Sequence, residues 1–432
     1  MNCSLPLRRL VLRLFLPMTL LTPAVLASAR VPDRLVWDEL PPVPASPGQS
    51  RQPGLASPFV GVHGNVLLVG GGANFPDALP WEGGRKIWWD DLFVLERRAD
   101  GRFAWVTDKA FKLPRKIGYG FSFSTDQGVV CAGGSDAEQC FADVFLLAWD
   151  PKTREVVRSP LPSLPQPLAF MSGVQVGTVL YLTGGQTTMK DATGTTVFWA
   201  LDLAQRGQGA AFAWKVLPSW PGGGRILPVA AGRESPGSPQ VFVFSGRSQP
   251  AGRASTLFDD AYGYDVKAGQ WRVLGAIRPD AASRESRCIM AGAAAVDRSG
   301  RILVFGGDAG ALFRELETHD LAVAGLRAKL KEPTSTVAER AGWESEVTGH
   351  VEAKRRIYLN HPGFSRDVLS YDPDADRWSV VATTPLPPQV TTQVVRWGND
   401  LVIPNGEIRP GIRTPAVIRI RTESAVSSKD RD

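Results

Sequence analysis

The 432-residue sequence has few of the residues that build metal centres and disulfide frameworks. It contains four cysteines and four histidines, and none of the histidines is spaced with a cysteine like a zinc or copper ligand, so we predict no metal site. Cys3 lies in an N-terminal leader, and the remaining Cys131, Cys140 and Cys288 are an odd number, which excludes a framework that pairs every cysteine. One bridge between Cys131 and Cys140, on adjacent strands, stays open.

Long hydrophobic runs are missing after the leader, so no later segment is long enough to span a membrane. Residues 1–29 carry three arginines, then an apolar stretch from Leu14 to Leu26, and end in the small residues Ala27-Ser28-Ala29. This order predicts a secretory signal peptide that is removed from the mature protein. A membrane anchor that is retained is the alternative.

A strong excess of one charge is also absent. Lysine and arginine number 49 against 43 acidic residues, a formal charge of +6, and removal of the leader halves this surplus. A nearly balanced chain gives no reason to expect a nucleic-acid partner. The oligomeric state is left open by the sequence.

Glycine and proline are abundant, at 44 and 34 residues, and they follow a repeat. Six times a short apolar run leads into a Gly-Gly doublet or its remnant, at 66–71, 129–134, 179–185, 241–246, 302–307 and 401–406. The spacing of most units is close to the period of about 50 residues that is typical of kelch blades. The last interval is longer and indicates an insertion in unit five.

The first five units each read as four short strands with hairpin turns between them. In four of these units the fourth strand carries a tryptophan that we expect to pack between neighbouring blades, at Trp105, Trp214, Trp271 and Trp378, whereas unit two has Val156-Val157 there. Unit six lacks a fourth strand. The segment 35–44 before unit one contains Trp37 with neighbours like those of the tryptophans in the other fourth strands. We therefore predict an all-β, six-bladed kelch-type β-propeller over residues 30–422, closed by the N-terminal strand, with a polar tail at 423–432.

The insertion covers about Asp308 to Phe364. Its first part, LFRELETHDLAVAGLRAKL, repeats apolar residues at a spacing of three to four and ends before Pro333, which predicts a helix or a pair of helices. The insertion emerges where the loops after the doublets cluster. The sequence leaves two alternatives for the insertion, a cap over the central opening and a solvent-exposed decoration.

Loops from every blade meet at the mouth of a propeller channel, so a site built from distant segments is expected there. Candidates after the doublets or at the start of first strands are Asn74, Arg115, Ser135, Gln186, Arg225, Arg247, Asp308 and Glu407. Of these, Asn74, Arg115 and Arg225 are our candidates for substrate binding.

Unit six differs from the others. It reads NGEIRPGIRTPAV at 405–417 and places Glu407 directly after the remnant doublet, with Arg413 before the third strand. A carboxylate beside a guanidinium can set an acid or base next to a fork that binds a carboxylate. A structural ion pair of Glu407 with Arg413 or with Arg409 is the alternative.

The N-G-E-x-[KR]-P-G-x-R-T element, the repeats, the leader and the insertion ending in NHPGFSRDVLSYDPDADRW resemble N-acetylneuraminate epimerase, the sialic acid mutarotase family. The unit order resembles its cyclically permuted branch, because the NGE element lies near the C-terminus. The resemblance implies conversion of the α-anomer of N-acetylneuraminate into the β-anomer in the periplasm, by acid–base chemistry without a cofactor. It implies Glu407 as the proton acceptor and Arg413 as its catalytic or substrate-binding partner.

Other functions are possible for such a fold. A non-catalytic propeller that binds glycans or proteins is the main alternative to an enzyme. A copper radical oxidase is disfavoured because clustered histidine and tyrosine ligands are scarce.

Overall fold

Six antiparallel sheets follow one another along the chain, as the repeat predicts, and five of them have four strands while the first has five. The computed structural model describes Met1 and residues 34–235, 237–279 and 285–423. The predicted signal peptide and nearly all of the predicted polar tail lie outside these residues. The chain is a six-bladed β-propeller.

The four strands of each blade run in order from the channel outward. They are Phe59–His63, Val66–Gly70, Asp91–Arg97 and Phe103–Trp105 in blade 1, with Phe111–Lys112 also paired to the third strand; Phe121–Thr125, Gly128–Ala132, Val144–Asp150 and Glu155–Leu161 in blade 2; and Ser172–Val176, Val179–Thr183, Phe198–Asp202 and Lys215–Val216 in blade 3. They are Val229–Arg233, Gln240–Phe244, Ala261–Asp265 and Gln270–Val273 in blade 4; Ala293–Val296, Ile302–Phe305, Asp367–Asp372 and Arg377–Thr383 in blade 5; and Val395–Trp397, Asp400–Pro404, Val417–Glu423 and Arg34–Leu40 in blade 6.

Short elements decorate the loops between these strands. Two-stranded hairpins join Ala73–Asn74 to Ile87–Trp88, Arg247–Ser248 to Thr256–Leu257, and Glu407–Arg409 to Ile412–Arg413. Short 3-10 turns cover Pro80–Glu82, Leu203–Gln205 and Gly209–Ala211.

The N-terminal strand closes the ring. Arg34–Leu40 pairs antiparallel with Val417–Glu423 along its whole length, with Trp37 opposite Ile420. This pairing supplies the fourth strand that unit six lacks, so none of the six described blades is left with an unpaired third strand. The predicted closure is confirmed.

The fourth-strand tryptophans join neighbouring blades. Their indole Nε1 groups donate to carbonyl oxygens of the preceding blade's outer segment at 2.7 to 3.0 Å, from Trp105 to Pro41, from Trp214 to Pro162 and from Trp271 to Pro218. Trp378 instead packs edge-on against Phe244 of blade 4, with ring centroids 4.9 Å apart. The predicted packing of these residues between blades is confirmed.

A turn of two left-handed residues ends the second strand of every blade. The pairs are Gly71–Gly72, Gly133–Gly134, Gly184–Gly185, Ser245–Gly246, Gly306–Gly307 and Asn405–Gly406. In blade 1 the predicted pair is displaced by one residue, because Gly70 still belongs to the strand Val66–Gly70. Ala73 therefore follows the pair directly, and Asn74 is the second residue after it.

Six residues before the first strands form a closed ring of backbone hydrogen bonds, which we call the backbone ring. Each has a left-handed conformation with φ between 48° and 60°, and each amide donates to the carbonyl of its counterpart one blade away at 2.6 to 3.1 Å. The members are Ser57, Tyr119, Phe170, Leu227, Ala291 and Thr391. Positive φ is costly for residues other than glycine, and here the closed bonding holds it in all six blades.

The insertion in blade 5 is a helical hairpin, as predicted. Helix α1 covers Ala311–Lys329 and α2 covers Val337–Asn360. Thr336 caps α2 by accepting from the Glu339 amide, and the Glu339 side chain accepts from the Thr336 amide in return, a capping box. No helix among the described residues is long and apolar enough to cross a membrane.

The three described cysteines are buried free thiols. Cys131 lies inside the second strand of blade 2, whereas Cys140 lies in the loop before the third strand. Burial raises the pKa of each thiol, and it raises that of Cys140 to about 11. The bridge that the sequence left open is not formed in this structure.

Candidate active site

The two predicted catalytic residues face each other across one hairpin. Glu407 and Arg413 are register partners of the strands Glu407–Arg409 and Ile412–Arg413, and Nη2 of Arg413 lies 3.2 Å from Oε1 of Glu407. The Gly411 amide donates to the same oxygen at 2.7 Å. The structure therefore places the carboxylate and the guanidinium side by side.

Glycine is required at the turn of this hairpin. Gly411 has φ of 80°, and a Cβ there would lie 2.9 Å from Cγ of Pro80 and 3.2 Å from the Trp81 ring. The turn can approach the blade 1 loop only without a side chain. Asn405 fixes the hairpin's other end, because its Oδ1 accepts from the Leu55 amide at 3.1 Å.

Arg413 is almost fully buried but only partly bonded. Its side chain is 4% exposed, and its guanidinium lies 4.6 Å from the ring centroid of Phe75. Nε and Nη1 are buried and have no hydrogen-bond partner among the described residues. Buried donors are nearly always satisfied in native proteins, so these two nitrogens indicate a place for an acceptor from a ligand or water.

The helical insertion lies over this region from two sides. On α1, the Glu317 carboxylate accepts from Nε2 of Gln249 at 3.0 Å and from the Ser255 amide at 2.9 Å, both in blade 4. On α2, Tyr358 stacks on Trp81 of blade 1 with centroids 4.8 Å apart. The insertion thus reaches from blade 4 to blade 1 across the loop face, which favours the cap over the solvated decoration.

Two further charged residues lie under the cap. Arg247 of blade 4 donates to Oε1 of Gln249 at 2.7 Å and lies 5.0 Å from the Phe313 ring of α1, and burial lowers its pKa. Burial raises the pKa of Asp308 in blade 5, and the charge of Glu407 adds to this. The site therefore combines two carboxyl groups with two guanidinium groups.

The three residues predicted to bind substrate make contacts other than with the Glu407–Arg413 pair. Asn74 is buried, donates to the Gly54 carbonyl and accepts from the Trp89 indole, both at 2.8 Å. Arg225 is fully buried and makes a bidentate ion pair with Asp260 at 2.6 and 3.0 Å. Neither side chain contacts Glu407 or Arg413 among the described residues, although Asn74 anchors the loop that carries Phe75.

Arg115 is the most exposed of the three. Its guanidinium lies 3.4 Å from the Asp143 carboxylate and 4.5 Å from the Phe141 ring, and both charged side chains are more than two-fifths exposed. The structure therefore places it in a surface ion pair between blades 1 and 2. A role in binding substrate stays a prediction for these three residues.

Sequence reasoning missed the aromatic residues of the site. Phe75 and Trp81 lie in the blade 1 loop, and Phe313 and Tyr358 lie on the two helices of the insertion. The dense aromatic content of residues 75–89 is a signal that could have pointed to the first two. No spacing rule connects the helical residues to Glu407.

The central channel contains a cavity, and none of its lining residues belongs to this site. Its volume is about 330 Å³, and its lining is mostly small, apolar, serine and glutamine side chains from the inner strands, with Arg396 as the only charged one among the described residues. Acid–base chemistry needs titratable groups. We therefore place the candidate site on the loop face beneath the cap.

Fold and site together define a class of protein, a six-bladed propeller with a capped carboxylate–guanidinium site that suits an acidic ligand. The profile of the N-acetylneuraminate epimerase family matches residues 17–156 and 161–429. Since this is most of the chain, the protein belongs to the N-acetylneuraminate epimerase family. The permuted unit order stays a prediction.

Individual relatives agree with the family profile. The chain is 24% identical to N-acetylneuraminate epimerase of Haemophilus influenzae (strain 86-028NP) over 59% of its length, and the match spans 57% of that relative. It is 28% identical to N-acetylneuraminate epimerase of Brucella melitensis biotype 1 over 68% of each chain. The solved structure of YjhT superposes with a TM-score of 0.57 at 14% identity, covering 89% of this chain and 98% of that chain, which shows the same fold.

Proposed function

We propose that the protein is a mutarotase that interconverts the α- and β-anomers of N-acetylneuraminate by acid–base catalysis without a cofactor. The observation that carries this proposal is the Glu407–Arg413 pair, in which the buried guanidinium keeps two unpaired donors. Membership of the N-acetylneuraminate epimerase family supports the identity of the sugar. The relatives named above support it as well.

The substrate carries a carboxylate on the anomeric carbon, and we assign its recognition to Arg413. The unpaired Nε and Nη1 would donate to the carboxylate oxygens, and charge-assisted bonds of this kind are among the strongest in proteins. The Phe75 ring limits where the guanidinium can move. The anomeric carbon is thereby held beside Glu407.

Glu407 is assigned as the base that takes the proton of the anomeric hydroxyl. Both of its contacts, to Arg413 and to the Gly411 amide, fall on Oε1. Oε2 is therefore the oxygen that we assign to proton transfer. Loss of this proton, together with protonation of the ring oxygen, opens the ring, and closure on the other face of the carbonyl gives the second anomer.

The direct test follows freshly released α-N-acetylneuraminate by proton NMR with and without the purified protein. We expect the anomers to reach equilibrium faster with the protein, in proportion to its concentration. Saturable binding of the sugar without any acceleration would contradict the proposal and identify a binding propeller instead.

Substitution of Arg413 by lysine tests the carboxylate contact. Lysine keeps the charge but loses the planar set of donors, and hydrogen bonds to charged groups contribute about 1.5–3 kcal/mol. We expect KM for the sugar acid to rise by about ten- to a hundredfold, measured from initial rates of anomer conversion. Arg158→Lys, on the exposed outer strand of blade 2, is the matched control, and an equal KM in both variants would contradict the assignment.

We also propose that the protein acts in the periplasm, which the arginine-rich and apolar leader in residues 1–29 supports. Cells that express the full chain with a C-terminal tag should release it by osmotic shock. Mass spectrometry should find the leader removed after Ala29. A full-length protein in the cytosolic fraction would contradict this location.

A further inference from the structure

Asp308 occupies in blade 5 the position that Glu407 occupies in blade 6. Each residue follows the left-handed pair of its blade. Each amide donates to the carbonyl oxygen of the residue just before a member of the backbone ring: the Asp308 amide to Met290 at 3.0 Å, and the Glu407 amide to Val390 at 2.8 Å. The two ring members that follow Met290 and Val390 are themselves hydrogen-bonded. A continuous chain of backbone bonds thus places the main chain of Asp308 and of Glu407 on neighbouring blades at one face.

The two carboxyl groups have different surroundings. Glu407 is paired with Arg413, whereas Oδ1 of Asp308 accepts from the Gly310 amide at 2.7 Å. Burial raises the pKa of Asp308 and Glu407 raises it further, while the Gly310 bond and the charge of Arg247 act in the opposite direction. The thiol of Cys288 also faces Asp308 and is protonated, since burial raises its pKa.

Adjacent carboxyl groups in different environments are the usual arrangement for an acid and a base in one site. We propose that Asp308 is the general acid that protonates the ring oxygen of the sugar while Glu407 takes the proton of the anomeric hydroxyl. This assignment rests on the mutarotase function proposed above. It supplies the proton donor that the Glu407–Arg413 pair lacks.

The proton balance closes over one turnover. Glu407 removes the hydroxyl proton, the O–H electron pair forms the carbonyl, and the bond from the anomeric carbon to the ring oxygen breaks as that oxygen takes the Asp308 proton. After rotation of the carbonyl, Asp308 recovers the proton from the same oxygen as it attacks the other face. Glu407 then returns its proton to the new anomeric oxygen.

Other groups under the cap are less suited to this step. An arginine cannot be deprotonated in a protein, which excludes Arg247 and Arg413 as donors. Burial raises the pKa of Tyr358, and the charges of Asp320 and Glu407 add to this, so its hydroxyl is a weaker acid than a carboxyl group. Burial lowers the pKa of His361, and the charge of Arg409 lowers it further. The protonated imidazolium is therefore disfavoured, and Nδ1 already accepts from the Gly363 amide.

The test is Asp308→Asn, which keeps the shape and the acceptor for the Gly310 amide but cannot release a proton at the required step. We expect kcat to fall by about 10²–10⁴ with KM little changed. The wild-type rate should fall as pH rises through the Asp308 pKa, because the protonated form is lost, and this alkaline limb should disappear in Asp308→Asn. Asp126→Asn, in an exposed turn, is the matched control. It should keep the wild-type kcat and the alkaline limb of the pH–rate profile.

The possible results separate this inference from the function on which it rests. If the wild type does not accelerate anomer conversion, the mutarotase proposal fails before Asp308 is tested. If the wild type is active and Asp308→Asn keeps its kcat, the general-acid assignment is overturned. It is overturned equally if kcat falls but the alkaline limb stays, since that outcome describes a residue that only positions others. Thermal unfolding of each variant verifies that the comparison is made on folded protein.

Discussion

Glu407→Gln is expected to lower kcat for anomer conversion by about 10²–10⁴, the usual contribution of a general base. Glutamine has the same shape, and its Oε1 can still accept from the Gly411 amide that now donates to Glu407 at 2.7 Å. It cannot take a proton from the anomeric hydroxyl. The measurement is the NMR rate of anomer equilibration after the uncatalysed rate has been subtracted.

The control for this variant is Glu344→Gln, the same change on the exposed surface of α2. It should leave kcat and KM at their wild-type values. Equal rates for Glu407→Gln and the control would contradict the role of Glu407. A lower rate that is accompanied by a lower denaturation midpoint in Glu407→Gln would show that the ion pair acts on folding instead.

Arg225→Ala is expected to lower the free energy of unfolding by about 3–5 kcal/mol, as removal of one partner from a buried ion pair does. All three nitrogens of the Arg225 guanidinium are bonded, to the Gly223 and Ser245 carbonyls and to both oxygens of Asp260. The side chain is 0% exposed. The variant leaves Asp260 without its charged partner, with only the Tyr262 hydroxyl still donating to it, and creates a cavity between blades 3 and 4.

Denaturant unfolding measures this effect, with Arg102→Ala as the control because its ion pair with Asp100 is exposed. The control should leave the midpoint close to that of the wild type. Arg225→Lys keeps the charge but loses the bidentate geometry, and the folded variant should bind the sugar with an unchanged KM. A raised KM without loss of stability would instead support the prediction that Arg225 binds substrate.

Repeated features of the sequence predicted most of the fold. The six apolar runs became the second strands, and the Trp37 segment became the closing strand because its context matches the other outer strands. The position of the doublet in blade 1 was displaced because three consecutive glycines, Gly70 to Gly72, fit the pattern in two ways. Only the end of the strand at Gly70 distinguishes them.

The sequence predicted the hairpin of the site and included Asp308 and Arg247 among the loop candidates, but it did not predict which of those candidates lie together. Glu407 and Arg413 lie close in the sequence, and a short turn with Gly411 brings them opposite each other. Asp308 and Tyr358 reach the same region through the backbone ring and the docking of the insertion, which are contacts between distant segments. A single sequence carries no record of such contacts.

The closing strand also determines when the site can exist. Blade 6 joins the first described strand of the chain to the last, and the Glu407–Arg413 hairpin lies between the second and third strands of that blade. During synthesis or export, the strand Arg34–Leu40 therefore cannot pair, and the ring cannot close, until Val417–Glu423 is present. A chain that has lost either end lacks one strand of this sheet, so the Glu407–Arg413 hairpin has no completed blade to support it. Under the proposed mutarotase function, a product truncated at either end should therefore be inactive.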